Sequence, residues 1–191
     1  MKIGVLALQG AVAEHMVMMT RAGAEAVPVK RTDELAELDG LIIPGGESTT
    51  IGKLIRTYGF TEPLREFSME RRPIFGTCAG LIILAKQITG QADTHLNLMD
   101  IRVARNAFGR QRESFETDLP VKGIEEPIRA VFIRAPLIEE VGEGVEVLAK
   151  HRDDIVAARQ EHLLAASFHP ELTEDHRLHA YFADMVRKYR R

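Results

Sequence analysis

The chain holds one cysteine, Cys78, in the segment Gly76-Thr77-Cys78-Ala79-Gly80, between apolar Pro73-Ile74-Phe75 and apolar Leu81-Ile82-Ile83-Leu84-Ala85. A strand entering, a reversal too tight for large neighbours and a helix leaving would make this a nucleophile elbow. The free N–H groups and partial positive charge of a helix N-terminus favour thiolate, the form of a thiol that attacks carbonyl carbon. A lone cysteine can equally be a small buried hydrophobe. The reactive reading therefore needs a base.

His169 is the candidate base. It follows Leu163-Leu164-Ala165-Ala166-Ser167-Phe168, an apolar run too short for a helix and bounded by polar residues and Pro170, as for a buried strand. Glu171 lies two residues on, so in extended geometry both side chains point the same way, with Pro170 stiffening the backbone between them. A carboxylate beside an imidazole selects its tautomer and stabilises the imidazolium. Cys78, His169 and Glu171 form the candidate catalytic set, although His-Pro-Glu taken alone could be a surface turn.

A third segment offers the electrophilic side. Leu41-Ile42-Ile43 reads as a short buried strand running into Pro44-Gly45-Gly46-Glu47-Ser48-Thr49-Thr50. Paired glycines let a backbone N–H turn towards a developing oxyanion without a Cβ in the way, and they let the peptide flip cheaply. The candidate oxyanion donors are the N–H groups of Gly46 and of Ala79, the residue after the nucleophile. Ser48 or Thr49 is expected to cap a helix over 51–58.

These segments carry a resemblance. Pro44-Gly45-Gly46-Glu47-Ser48, Gly76-Thr77-Cys78-Ala79-Gly80 and His169-Pro170-Glu171 stand in the order and at the spacing of the class I (triad) glutamine amidotransferases, whose triad is Cys-His-Glu. Within that superfamily the chain is similar to the glutaminase subunits of pyridoxal 5′-phosphate synthases. The segments that carry this are Gly4-Val5-Leu6-Ala7-Leu8-Gln9-Gly10, Glu47-Ser48-Thr49-Thr50, Arg105-Asn106-Ala107-Phe108-Gly109-Arg110-Gln111, Phe132-Ile133-Arg134-Ala135-Pro136 and Ser167-Phe168-His169-Pro170-Glu171-Leu172. They span the chain and depart from the pattern at no catalytic position.

The resemblance implies that Cys78 attacks the side-chain amide of L-glutamine, giving a γ-glutamyl thioester that water opens to glutamate. It implies that Gly46, Glu47, Ser48, Arg105, Ile133 and Arg134 hold glutamine. A planar guanidinium can clamp an α-carboxylate; without the family pattern Arg105 and Arg134 would read as surface ion pairs. It further implies a partner, the synthase subunit of a hetero-oligomeric complex, which receives the ammonia through the protein interior and condenses it with ribose 5-phosphate and glyceraldehyde 3-phosphate. Pyridoxal phosphate is then a product of the complex, and no cofactor is expected on this chain. Since free ammonia release would waste glutamine, the isolated chain is expected to be a poor glutaminase that docking activates. Two other readings stand beside this one. Another cysteine-elbow hydrolase, such as an intracellular peptidase or deglycase-like protein, is disfavoured by His169 followed two residues later by Glu171; a non-catalytic binding subunit would leave Cys78 unreactive.

Such a site needs elements that gather distant segments. Strands are expected over 2–8, 26–29, 41–43 and 73–75, alternating with helices over 12–22, 33–38, 51–58 and 62–69. This predicts an α/β fold, a doubly wound, mainly parallel sheet with helices on both faces, flavodoxin-like as in the class I glutamine amidotransferases. Short strand-like segments over 98–104, 113–119, 130–133, 145–150 and 155–159 predict some antiparallel strands in the middle of the chain. A strand over 163–168 and an amphipathic helix over 175–188 close the fold. Ligands of open α/β sheets bind at the carboxyl ends of strands, and Gln9-Gly10, Gly45-Gly46, Cys78 and His169 each follow a predicted strand. Gln9 reads as a site-lining or partner-touching amide, or as a turn cap.

With 191 residues, 45% of them hydrophobic and 28% charged, the chain reads as a single domain, 1–191. A net charge of -3 gives no general pull towards nucleic acid or an anionic membrane, and the basic run 187–191 reads as a solvated helix end. No apolar stretch approaches the ~20 residues of a membrane span. The apolar start of the chain is too short for a signal peptide, and a lone reactive thiol suits a reducing compartment. A cytoplasmic protein is expected. His176 and His179 are three apart beside Asp175, but no third or fourth ligand is evident and no metal is expected. His15, His95, His151 and His162 read as surface or packing residues.

Overall fold

The computed structural model describes residues 1–105 and 114–190. The part of the Arg105 motif over 106–111, the first residue of the strand expected over 113–119, and residue 191 of the basic run lie outside the described residues.

The first half alternates as expected: β1 (Lys2–Leu6), α1 (Val12–Arg21), β2 (Glu25–Val29), a 3-10 helix (Thr32–Glu37), β3 (Gly40–Ile43), α2 (Ser48–Thr57), α3 (Thr61–Met69), β4 (Ile74–Thr77) and α4 (Ala79–Leu84). The second half is mostly strand: β5 (Ala85–Ile88), β6 (Met99–Ala104), β7 (Ser114–Leu119), β8 (Ile128–Ile133), β9 (Leu137–Val141), β10 (Glu146–His151), β11 (Asp154–Gln160) and β12 (Leu163–Ala166). A 3-10 turn (Pro170–Leu172) and α5 (Arg177–Tyr189) complete it.

The main sheet runs β2-β1-β3-β4-β12-β11-β9-β6-β5, with β10 added on β11. From β2 to β12 every pairing is parallel, and β5 pairs β6 in parallel at the far edge. Between them β11 and β9 run antiparallel to their neighbours. β7 and β8 form a separate antiparallel ladder. The apolar residues of β3 show why helices cover both faces, because successive side chains of a strand point to opposite sides. Leu41 and Ile43 join the core under α2, α3 and α4. Ile42 joins the opposite core, under α1, α5 and the β7–β8 ladder. No helix among the described residues is long and apolar enough to cross a membrane.

Two strands were not expected. The apolar run 81–85 reads as one helix, yet α4 stops at Leu84 and the chain enters β5 at the next residue. β9 carries Glu139 and Glu140, which hide its strand character. Their charges are met across the ladder by Arg102 of β6, at 3.3 and 2.6 Å. The last strand is also shorter than 163–168, since β12 ends at Ala166.

Candidate active site

β4 delivers Cys78 to the carboxyl end of the sheet with φ +51° and ψ -106°. Such a backbone is strained for a residue with a side chain and persists only where its surroundings impose it. Here the Cys78 N–H donates to the Ala166 carbonyl at 2.8 Å, and the Cys78 carbonyl accepts from Leu81 at 3.1 Å. The flanking glycines are required by proximity. A Cβ on Gly76 would lie 2.4 Å from the Gly80 carbonyl oxygen, and one on Gly80 would lie 2.1 Å from the Ile43 carbonyl oxygen. The outgoing helix has only six residues, so what it offers the sulfur is its unpaired first N–H groups, Ala79 included, rather than a long summed dipole.

His169 arrives beside Cys78 by a route other than the expected strand. Past the end of β12 it has φ -107° and ψ 85°, and Pro170–Leu172 curl into a 3-10 turn. The turn, not strand alternation, brings Glu171 Oε1 to 2.6 Å from His169 Nδ1. The His169 N–H donates to the Val131 carbonyl of β8 at 2.8 Å. Burial of the ring opposes its charged form, but hydrogen bonds to Cys78 and Glu171, with the negative charge of both, outweigh that and push it up to about 10. The positive charge facing the sulfur is therefore the imidazolium of His169.

The glycine pair closes the third side. Neither Gly45 nor Gly46 adopts a positive φ; both are needed for close approach. A Cβ on Gly45 would lie 2.5 Å from His169 Cε1, and one on Gly46 would lie 2.3 Å from Gln9 Oε1. The Gly45 carbonyl accepts from the Ala11 N–H at 3.1 Å. A trans peptide points its N–H opposite to its C=O, so the Gly46 N–H is directed away from the loop that follows β1. Gln9 Oε1 accepts from the Glu47 N–H at 3.0 Å, which makes Gln9 a brace on this loop.

The cap of α2 differs from expectation. Helix α2 begins at Ser48, and its cap is the Glu47 carboxylate, which accepts from the N–H groups of Thr49 at 3.0 Å and Thr50 at 2.7 Å and from the Thr50 hydroxyl. A charged acceptor satisfies two free N–H groups and complements the helix start better than a Ser48 or Thr49 hydroxyl could. The Thr50 hydroxyl, then the backbone N–H groups, hold the Glu47 carboxyl down to about 2. Arg105 Nη2 lies 3.7 Å from Glu47 Oε1.

One cleft of about 510 Å³ collects nearly all of the candidate residues: Gly46, Glu47, Ser48, Cys78, Ala79, Arg105, Ile133, Arg134 and His169 line it. Glu171 stands behind His169, its side chain closed to solvent. Arg134 follows β8 with φ +43°, a turn that separates it from the strand direction of Ile133. Ile82, Pro136 and Leu172 add an apolar wall. The cleft thus offers a sulfur nucleophile, a charged imidazole and guanidinium groups around a volume suited to a small amino acid.

Sequence reasoning missed His15. It is fully buried, with Nε2 3.0 Å from Thr77 Oγ1 and 3.5 Å from Glu171 Oε2, and Nδ1 2.8 Å from His179 Nε2. The signal was its spacing: buried Met18 and Met19 lie three and four residues on, which places His15 on the inner face of α1. The expected pair on the last helix also divides, since His176 precedes α5 as its cap while His179 turns inward to His15.

Known proteins agree with this arrangement. The SNO glutamine amidotransferase family profile matches residues 5–188. A "Pyridoxal 5′-phosphate synthase subunit PdxT" from Niallia circulans is 68% identical over 190 residues, covering 100% of both chains. Its counterpart from Brevibacillus brevis is 67% identical over 190 residues, with the same full coverage. A crystal structure of a glutamine amidotransferase superposes with a TM-score of 0.92 at 52% identity, over 96% of this chain and 98% of that one. The chain belongs to the SNO glutamine amidotransferase family.

Proposed function

We propose that this chain, acting as a single cytoplasmic domain, hydrolyses L-glutamine to glutamate and ammonia and passes the ammonia to the synthase subunit of a pyridoxal 5′-phosphate synthase. The observation that carries this is the gathering of Cys78 and His169 in one cleft, with Glu171 hydrogen-bonded behind the imidazole, at the carboxyl ends of the adjacent strands β4 and β12. The relatives named for that synthase are matched over their whole length.

The chemistry follows from the charges. The Cys78 thiolate attacks the side-chain carbonyl carbon of glutamine, and the N–H groups of Gly46 and Ala79 meet the oxyanion. The His169 imidazolium gives its proton to the leaving nitrogen, so ammonia departs and a γ-glutamyl thioester remains. Acylation removes the negative charge on sulfur that had helped to raise His169. The ring has given up its proton and is no longer held charged by the sulfur, so it is neutral and free to act as the base: it takes a proton from water, the hydroxide opens the thioester, and the thiolate and imidazolium are restored. Arg105 and Arg134 hold the substrate carboxylate, with Glu47, Ser48 and Ile133 beside them.

The test is glutamate release by the complex with the synthase subunit. Cys78→Ala is expected to retain no more than about one per cent of the rate, because no second thiol can replace the nucleophile. Retention of half the activity would reject the assignment.

A further inference from the structure

Glu171 presents two oxygens to the interior, and only one is used by His169. Oε1 takes the His169 Nδ1 hydrogen bond at 2.6 Å. Oε2 is buried and accepts no hydrogen bond among the described residues, an unfavourable state for a carboxylate shut off from water. The group that faces it is His15 Nε2 at 3.5 Å.

The hydrogen-bond network fixes which nitrogen of His15 carries the proton. His15 is fully buried, and burial, followed by the neighbouring His179 and His169, holds it well below the usual imidazole range. It is neutral, with one N–H and one lone pair. If the proton sat on Nδ1, a bare lone pair on Nε2 would confront the Glu171 carboxylate. His179 would then have to accept at Nε2 and bury an unpaired N–H at Nδ1, which has no hydrogen-bond partner among the described residues. The opposite arrangement leaves only a lone pair of His179 unsatisfied, the cheaper defect. His179 Nε2–H donates to His15 Nδ1 at 2.8 Å, and His15 Nε2–H points at the pocket shared by Thr77 Oγ1 and Glu171 Oε2.

We propose that His15, oriented by His179, is a positioning residue that holds the Glu171 carboxylate turned towards His169. The inference rests on the triad reading above. Helices α1 and α5, on one face of the sheet, would then reach the chemistry on its carboxyl edge through two imidazoles in series. Thr77 precedes the nucleophile in the chain, so the same N–H also touches the strand end that carries Cys78.

The test uses the complex with its synthase subunit and saturating glutamine. His15→Phe keeps a flat ring but removes the N–H; His15→Gln keeps a donor near the place of Nε2; His15→Asn carries an amide too short to reach Oε2. The expected result is a loss of about tenfold in kcat for Phe and Asn with KM within about twofold, while Gln stays within about threefold of the wild type. In a Glu171→Gln background, where the carboxylate is gone, His15→Phe is expected to cost nothing more. Equal activity of His15→Phe and wild type overturns the proposal. So does an equal loss in the Gln and Asn variants, or a His15→Phe penalty that persists undiminished with Glu171→Gln, since each of these marks a packing role. If the Phe variant fails to fold, the Gln and Asn comparison decides alone. Cys78→Ala in the same preparation reports on the triad reading separately: if it is inactive while His15→Phe is fully active, only the role of His15 is lost.

Discussion

The carbonyl oxygen of Gly45 accepts the amide of Ala11 across 3.1 Å, so the loop after β1 holds one end of the peptide whose other end is the proposed oxyanion donor, Gly46. Gln9 braces the next peptide by accepting from Glu47. A surface that binds the loop 9–11 can thus reorient the Gly45–Gly46 peptide without touching glutamine. The chain alone is expected to release glutamate at least tenfold more slowly than the complex, a difference that needs about 1.4 kcal/mol of preferential binding to the competent orientation. Equal rates at saturating glutamine would dismiss the switch and leave the triad untouched. Gly46→Val should remove the stimulation while docking, followed by size-exclusion chromatography, survives.

A second expectation concerns strain at the nucleophile. Cys78 has φ +51°, a conformation that glycine adopts freely and alanine does not. Cys78→Gly and Cys78→Ala should both be inactive, but the glycine variant should be the more stable by about 1 kcal/mol in urea unfolding. An alanine variant as stable as the glycine one would show that the elbow carries no strain.

The third expectation is a pH profile. His169 is pushed up to about 10, with Glu171 among the raising causes, and kcat/KM reports the free enzyme. The imidazolium proposed to protonate the leaving nitrogen is lost on the alkaline side. Glu171→Gln removes the negative charge that favours this imidazolium, so the alkaline limb should move to lower pH, with measurable activity left because an amide still orients the ring. An unmoved limb in rates taken from pH 6 to 10 would make Glu171 a structural carboxylate.

Much of the fold was legible because alternation of strand and helix signals dictates a parallel sheet, and β1 to β4 came out where apolar runs and turn residues put them. The cysteine, histidine and glycine segments were legible because each follows such a strand. Other features depended on partners distant in sequence. The carboxylates of β9 mask a strand until Arg102 is seen across the ladder. Nothing between Leu84 and Ala85 marks the change from helix to strand. Glu47 reads from the sequence as a substrate contact and is also the cap of α2. His15 looked ordinary because its significance comes from Glu171, 156 positions away in the chain.

The parallel ladder between β4 and β12, with Thr77 opposite Ala166, has a consequence for synthesis. The proposed nucleophile is translated before its proposed base, and nothing local holds them together. A nascent chain still lacking β12 carries the thiol without the imidazole proposed to charge it, so on this reading it consumes no glutamine. Pairings between such remote segments are slow to close. On the proposed mechanism, competence arrives only when β4 and β12 have paired, and recovery of glutamate release during refolding is expected to track that pairing.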